Sequence, residues 1–302
     1  MTPSLVVIGS TNVDLFAQVT RHPTPGETIL GSGGGRTAGG KGANQALAAG
    51  LQGAPVRFVG AVGDDGDARI ALGSLEDAGV DVTDVQVAEG QPTGLAIITV
   101  ADDGENTIVV VPGANATVSP EDAGRAVEAM AQGDVLLMQG ELSRATTETA
   151  IRQAVAAGHR VILNVAPWGS LDGDVLTAAD PLVLNEHEAR QAVAELGLAG
   201  AHDSAGCARA LREAGTPSVV VTLGPEGAVA VDADGETDVP SPRVQAVDTT
   251  GAGDAFTGAL AARLLQGDNL RTAVAHAVRV GSYAVQHAGA QPSYPSLTQE
   301  LP

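Results

Sequence analysis

The sequence predicts an α/β fold: a mostly parallel central sheet with helices on both faces, and a smaller β-sheet beside it. Two observations carry this expectation. Short β-branched apolar runs recur along the chain and alternate with segments of helical period, the rhythm of strands joined by helical crossovers. The runs are apolar at nearly every position rather than at every second one, as strands covered on both faces require.

In chain order the expected strands are Leu5–Ile8, Val56–Val62, Val135–Met138, Val161–Val165, Leu182–Leu184 and Val219–Thr222. The expected helices are Ala43–Leu51, Ala68–Ala78, Pro120–Ala131, Thr146–Ala157, Ala205–Ala214, Ala252–Leu265 and Leu270–Gln286, each mixing apolar and polar residues near a 3.6 period. Two segments break the rhythm. Leu15–Leu30 holds a Pro23-Thr24-Pro25-Gly26 turn between two potential strands, and Thr93–Val111 holds two β-rich runs around Asp102-Asp103-Gly104-Glu105-Asn106, which reads as a hairpin. These four strands are expected to form a small sheet of their own, with an antiparallel extension of the main sheet as the alternative. The division that follows assigns 1–14, 31–92 and 112–302 to the main body, and 15–30 and 93–111 to the small sheet.

Composition excludes several function classes. Hydrophobic residues make up 44% of the chain and aromatic ones only 2%, so the core is built from Ala, Val, Leu and Ile. A formal net charge of −20 repels nucleic acid and anionic lipid. The apolar runs are too short to span a bilayer, and Met1–Ile8 does not read as a secretory leader. The single cysteine, Cys207, forbids an internal disulfide and fits a reducing compartment, so the cytoplasm is the expected address. The six histidines show no zinc-binding spacing, and no G-x-S-x-G elbow is present.

Three stretches carry chemistry. In Asp248-Thr249-Thr250-Gly251-Ala252-Gly253-Asp254, glycines let the backbone turn tightly at the start of an apolar helix. The positive end of that helix makes an anion hole, and Asp254 beside it suits a base for an attacking hydroxyl; a simple helix cap is the alternative role. Gly39-Gly40-Lys41-Gly42-Ala43-Asn44 is a second glycine turn entering a helix, and it contains the only lysine against fifteen arginines. Gly35 and Gly40-Lys41 match the spacing of a nucleotide P-loop, but Gly42 stands where the Mg²⁺-binding hydroxyl belongs, so the turn suits a polyhydroxy ligand better. The third stretch is Gly9-Ser10-Thr11-Asn12-Val13-Asp14, just past the first strand, where open α/β sheets gather their ligands. Asn12 and Asp14 alternate on an extended segment and can face one side; an ordinary turn is the alternative.

In this order and spacing the three motifs resemble the ribokinase family of carbohydrate kinases, and the similarity runs to Gly289-Ala290-Gln291-Pro292-Ser293. The resemblance implies a three-layer sandwich with a β lid over the sugar, and ATP-dependent phosphorylation of D-ribose at its 5-hydroxyl. A kinase of deoxyribose, another sugar or a nucleoside is the nearest alternative, and a non-catalytic sensor on the same scaffold a more distant one. It further implies that Asn12, Asp14, Gly40, Lys41, Asn44 and Glu141 hold the sugar, with Asp254 as the base and Gly251, Ala252 and Gly253 as the anion hole. Asn185 and Glu188 match an Asn-x-x-Glu element that organises Mg²⁺ and the ATP phosphates through water, and Thr222, Gly224 and Gly227 a nucleotide-contacting turn. Asp248, Thr250, Gly289 and Ser293 match a monovalent cation site favouring K⁺, and the lid implies a homodimer. Around Glu141 the text, Gln139-Gly140-Glu141-Leu142, departs from the expected Gln-Leu-Glu arrangement, which leaves a solvated loop acid as its alternative role.

Overall fold

A computed structural model describes residues 2–199 and 201–302. The strands are β1 (Leu5–Ile8), β2 (Asn12–Val19), β3 (Ser32–Gly39), β4 (Val56–Gly63), β5 (Asp81–Ala88), β6 (Gly94–Ala101), β7 (Asn106–Val111), β8 (Val135–Gln139), β9 (Arg160–Asn164), β10 (Leu182–Asn185), β11 (Val219–Thr222), β12 (Gly227–Asp232) and β13 (Gly235–Pro240). The helices are α1 (Lys41–Leu51), α2 (Asp67–Asp77), α3 (Pro120–Glu128), α4 (Arg144–Ala156), α5 (Gly173–Leu176), α6 (Glu186–Glu195), α7 (Ser204–Glu213), α8 (Ala252–Leu265) and α9 (Leu270–Ala284).

Nine strands form the main sheet in the order β13-β12-β11-β10-β9-β8-β1-β4-β5. It is parallel from β5 to β11, and β12 and β13 close one edge antiparallel. Side chains alternate across it with period two. Leu5 and Val7 pack with residues of α1, α8 and α9 on one face, whereas Val6 and Ile8 pack with those of α3, α4, α6 and α7 on the other. Both faces of each inner strand are therefore dry, which is why these runs are apolar throughout.

A four-stranded sheet, β3-β2-β6-β7, stands separately. The Thr93–Val111 segment forms the expected hairpin of β6 and β7. The other pair is displaced from expectation: within 15–30 the only strand is the end of β2, and its partner is Ser32–Gly39, paired antiparallel with β2. Ser32-Gly33-Gly34-Gly35 has almost no intrinsic strand preference; pairing with β2 holds Ser32, Gly33 and Arg36–Gly39 in the sheet, and the ladder shifts register at Gly34 and Gly35, with Gly33 and Gly34 at φ 91° and 86°. Gly35 therefore lies inside a strand, so no phosphate loop forms there. The strands β5 and β13 and the helix α6 carry too weak an apolar pattern to be expected from the sequence; β12 also lies outside the expected set, although its Ala228–Val231 run is apolar and buried.

Candidate active site

β1 lies between β8 and β4, the point where the strand order reverses and a crevice opens at the carboxyl end of the sheet. The chain leaves β1 through Gly9 and Ser10 and enters β2, whose alternation puts Asn12 and Asp14 on one face while Val13 packs against Val62 and Ala71. Asn12 accepts a hydrogen bond from Asn115 Nδ2 at 2.8 Å. Asn115 also clamps the Thr11 backbone, accepting its N–H and donating to its carbonyl, each at 3.0 Å. The turn Gly40-Lys41-Gly42 is pressed against this segment: a Cβ on Gly42 would lie 2.6 Å from Gly9 Cα, so only glycine permits the approach. Glu141 Oε2 accepts the Lys41 N–H at 2.9 Å and also the Ser10 hydroxyl. It is thus wired to the lysine turn and is not a freely solvated loop acid. Ser10, Asn12, Asn115, Glu141, Val110 and Pro167 line a cavity of about 200 Å³.

Gly251 begins α8 in the left-handed region, φ 73°; a side chain there would be strained and would also meet the Tyr294 hydroxyl, 2.6 Å from the Cβ position. Asp254 sits in the first turn, 5% exposed, and it does not cap the helix. Its Oδ1 accepts Gln45 Nε2 at 2.9 Å and its Oδ2 accepts Asn44 Nδ2 at 3.0 Å. Lys41 Nζ stands 3.8 Å from Oδ1. The Ala252 N–H points back to the Thr249 carbonyl at 3.2 Å, while the Gly253 and Asp254 amides belong to the first turn, which has no intrahelical acceptors. Lys41, Asn185, Glu188, Thr222, Gly253 and Asp254 line a second cavity, of about 120 Å³.

Asn185 and Glu188 form a reciprocal capping box on α6, each side chain accepting the other's backbone N–H at 2.8 Å. Asn-x-x-Glu is therefore at once a helix start and a carboxylate brought to the cavity wall. Gly224 and Gly227 do not line that cavity; they make the turn between β11 and β12. Asp248 accepts the Thr250 and Gly289 N–H groups at 2.9 and 2.8 Å, and Ser293 Oγ donates to the Ala290 carbonyl at 2.7 Å. Asp248, Thr250 and Gly289 are thereby drawn together, while Ser293 is tied to the residue that follows Gly289.

The site gathers acid around one cation. Burial, and then the charges of Glu141 and Asp254, push the Asp14 carboxyl up to about 7. Asp254 holds the Lys41 ammonium charged, above its ordinary range, against the burial that opposes it. Burial also raises Glu188, against the Asn185 amide and Lys41. At Asp248 burial works upward too, but the bonds from Thr250 and Gly289 outweigh it and keep the carboxyl low. An ionised carboxylate is the kind of oxygen ligand that fits a hard cation. For a divalent ion, no cluster of three or more His, Cys, Asp or Glu side chains occurs among the described residues. Glu188 alone fits Mg²⁺ that keeps its waters and rides on substrate phosphates.

Sequence reasoning missed Gln45, Asn115, Gln139, Asn164 and Gln291, which build the polar scaffold behind these groups. A faint signal existed in Gln45 and Gln139, each an amide side chain in or beside an apolar run.

The chain belongs to the pfkB family of carbohydrate kinases, whose family model matches residues 2–297. Among its relatives is a ribokinase of Staphylococcus aureus, 35% identical over 301 residues, covering 99% of each chain. A deoxyribokinase of Salmonella typhi is 36% identical over 296 residues, covering 98% of this chain and 96% of its own. The solved structure of Arabidopsis thaliana ribokinase complexed with ribose and ATP superposes with a TM-score of 0.87 at 32% identity, covering 98% of this chain and 96% of that one.

Proposed function

We propose that this chain transfers the γ-phosphoryl group of ATP to the 5-hydroxyl of D-ribose, giving ribose 5-phosphate and ADP. The observation that carries the reading is Asp254, a buried carboxylate set at the unsatisfied amides of a helix start. It stands beside the lysine turn that joins the two cavities. In this reading Asn12 and Glu141, which line the larger cavity, hold the sugar together with Asp14, Gly40, Lys41 and Asn44. Its primary hydroxyl gives its proton to Asp254 as its oxygen bonds to the γ-phosphorus and the bond to ADP breaks. The amides at the start of α8, Gly253 foremost, face the charge on the transferring group, where one such donor is typically worth about 10²–10³ in rate. Mg²⁺ arriving with ATP would neutralise phosphate charge near Glu188 and Asn185, while Thr222 and the Gly224–Gly227 turn take the nucleotide. Asp248, Thr250, Gly289 and Ser293 would hold K⁺ behind the anion hole. A cavity of about 200 Å³ is smaller than the ~300–1,000 Å³ of drug-sized pockets, which favours a monosaccharide over a nucleoside.

Coupled ADP release across pentoses, hexoses and nucleosides, with and without K⁺, tests this directly. Ribose is expected to give the highest kcat/KM, with stimulation by K⁺. The equally similar deoxyribokinase makes deoxyribose the informative competitor, and a preference for it would replace the substrate while leaving the reaction class. No ADP with any acceptor would sink the kinase reading.

The lid supports a homodimer. β7 is an edge strand with Ile108, Val109, Val110 and Val111 all 42–54% exposed, an arrangement that soluble monomers avoid. Light scattering is expected to give twice the chain mass, and Val109→Lys to give a monomer; a monomeric parent protein would refute this. The lone, buried Cys207 supports a reducing cytoplasm, and no helix among the described residues is long and apolar enough to cross a membrane.

A further inference from the structure

The carboxylate of Asp254 is gripped by two amides, and each of those is itself gripped from behind. Gln139 Nε2 donates to Gln45 Oε1 at 3.0 Å, and Gln291 Nε2 donates to Asn44 Oδ1 at 3.0 Å. Gln45 is the more completely determined of the inner pair. Its Nε2 donates to Asp254 Oδ1 and to Asn164 Oδ1, each at 2.9 Å, and Asn164 is anchored in turn on the Val183 carbonyl at 3.1 Å. Both amide hydrogens and the carbonyl of Gln45 are therefore engaged, and the residue is 0% exposed. Its orientation has no freedom left, and it ties the carboxylate on α8 to β8 and β9 of the sheet.

Position in sequence makes this arrangement more than packing. Gln45 follows Ala43 and Asn44 on a helix otherwise made of Ala, Leu and Gly after its first residue, and its neighbours belong to the apolar core. An apolar residue there would cost nothing in desolvation, whereas a buried amide is tolerated only when its partners are all present. Without Gln45, Oδ1 of Asp254 would have the Lys41 ammonium as its nearest partner, now 3.8 Å away, and the single Asn44 bond to Oδ2 would leave the carboxylate able to pivot toward it.

We infer that Gln45 is a positioning residue for the transfer reaction: it fixes the Asp254 carboxylate by Oδ1 and keeps it aimed at the cavity rather than closed on Lys41. The inference rests on Asp254 being the base, and the test separates the two. Four proteins are compared by steady-state kinetics with ribose and ATP: wild type, Gln45→Met, Asp254→Asn and the double variant. Displacing a catalytic group by about 1 Å can cost on the order of 10² in rate. Gln45→Met is accordingly expected to lose about 10- to 100-fold in kcat, with both KM values within about twofold of wild type. In the Asp254→Asn background the same change is expected to do nothing further, since there is no base left to aim.

Wild-type kcat in Gln45→Met overturns the inference. So does an equal loss in both backgrounds, which would mean that Gln45 serves the fold and not Asp254. Wild-type turnover in Asp254→Asn alone removes the base, and the inference with it, and is recognisable without any Gln45 variant. If Gln45→Met does not melt cooperatively, Gln139→Met carries the same test one bond further back. A several-fold loss confined to kcat, and absent with Asp254→Asn, is then expected, and no loss of kcat overturns the inference.

Discussion

Asp254→Asn is expected to fold, to bind sugar and ATP, and to lose at least about 10² in kcat, the lower range of what a general base contributes. The size follows from the surroundings. Asparagine keeps the shape and one acceptor, so one of the donors Gln45 and Asn44 retains its partner. The other then faces an N–H₂ group, at a cost of about 1–3 kcal/mol for a buried unpaired polar group. That is a fraction of the roughly 5–15 kcal/mol stability of a folded domain, so the protein survives and the chemistry does not. Calorimetric titration with ribose and with an ATP analogue, beside single-turnover kinetics, separates the two effects. Near-normal turnover would take the role of base away from Asp254.

The second large effect concerns Asp14. The carboxyl is 8% exposed, and no protein donor among the described residues hydrogen-bonds to it; burial and the charges of Glu141 and Asp254 raise it from 3.8 to about 7. The native protein therefore binds this proton more tightly than the unfolded chain does. Its contribution to stability is fully present below about pH 4 and is lost as pH rises through about 7. Each tenfold gain in proton affinity is worth about 1.4 kcal/mol, so the loss is on the order of 4 kcal/mol, an upper figure for a site that admits water. Sugar hydroxyls need the ionised form, since an ionised carboxylate only accepts. Wild-type ribose KM is expected to rise as pH falls through about 7. Asp14→Asn is expected to raise ribose KM by roughly 10- to 100-fold, the worth of a hydrogen bond to a charged group, and to abolish that pH dependence. The same variant is expected to melt higher than wild type at pH 8.5 and to lose that advantage near pH 4.5. A ribose KM that ignores pH between 5.5 and 8.5 in the wild type would refute the assignment of Asp14 to the sugar.

These two carboxylates differ in how legible they were. Asp254 lies in a local pattern, glycines followed by a helix, and a left-handed turn with free amides follows from those residues alone. Asp14 was visible as a partner of Asn12 on one strand face, but its company was not: Glu141 and Asp254 are far off in the chain, and only their convergence with burial raises its carboxyl. Asn185-x-x-Glu188 was legible as a motif, yet the helix it starts was missed, because Glu186–Glu195 is polar enough to hide its period.

The sequence by itself determined the parallel sheet, the helices that cover it and the glycine turns at Gly40 and Gly251. Each of these depends on neighbours along the chain: strands buried on both faces must be apolar throughout, and a left-handed turn must be glycine. Tertiary structure alone decided that Ser32–Gly39 would be a strand, since only β2 makes it one. It also decided which amides would meet the Asp254 carboxylate, for Gln45 lies 209 residues away. A buried glutamine looks like any other polar residue until the fold brings it an acceptor. The reason is geometric: local preference depends on adjacent residues, whereas the sharing of hydrogen-bond donors between distant helices depends on how closely the packed backbones approach.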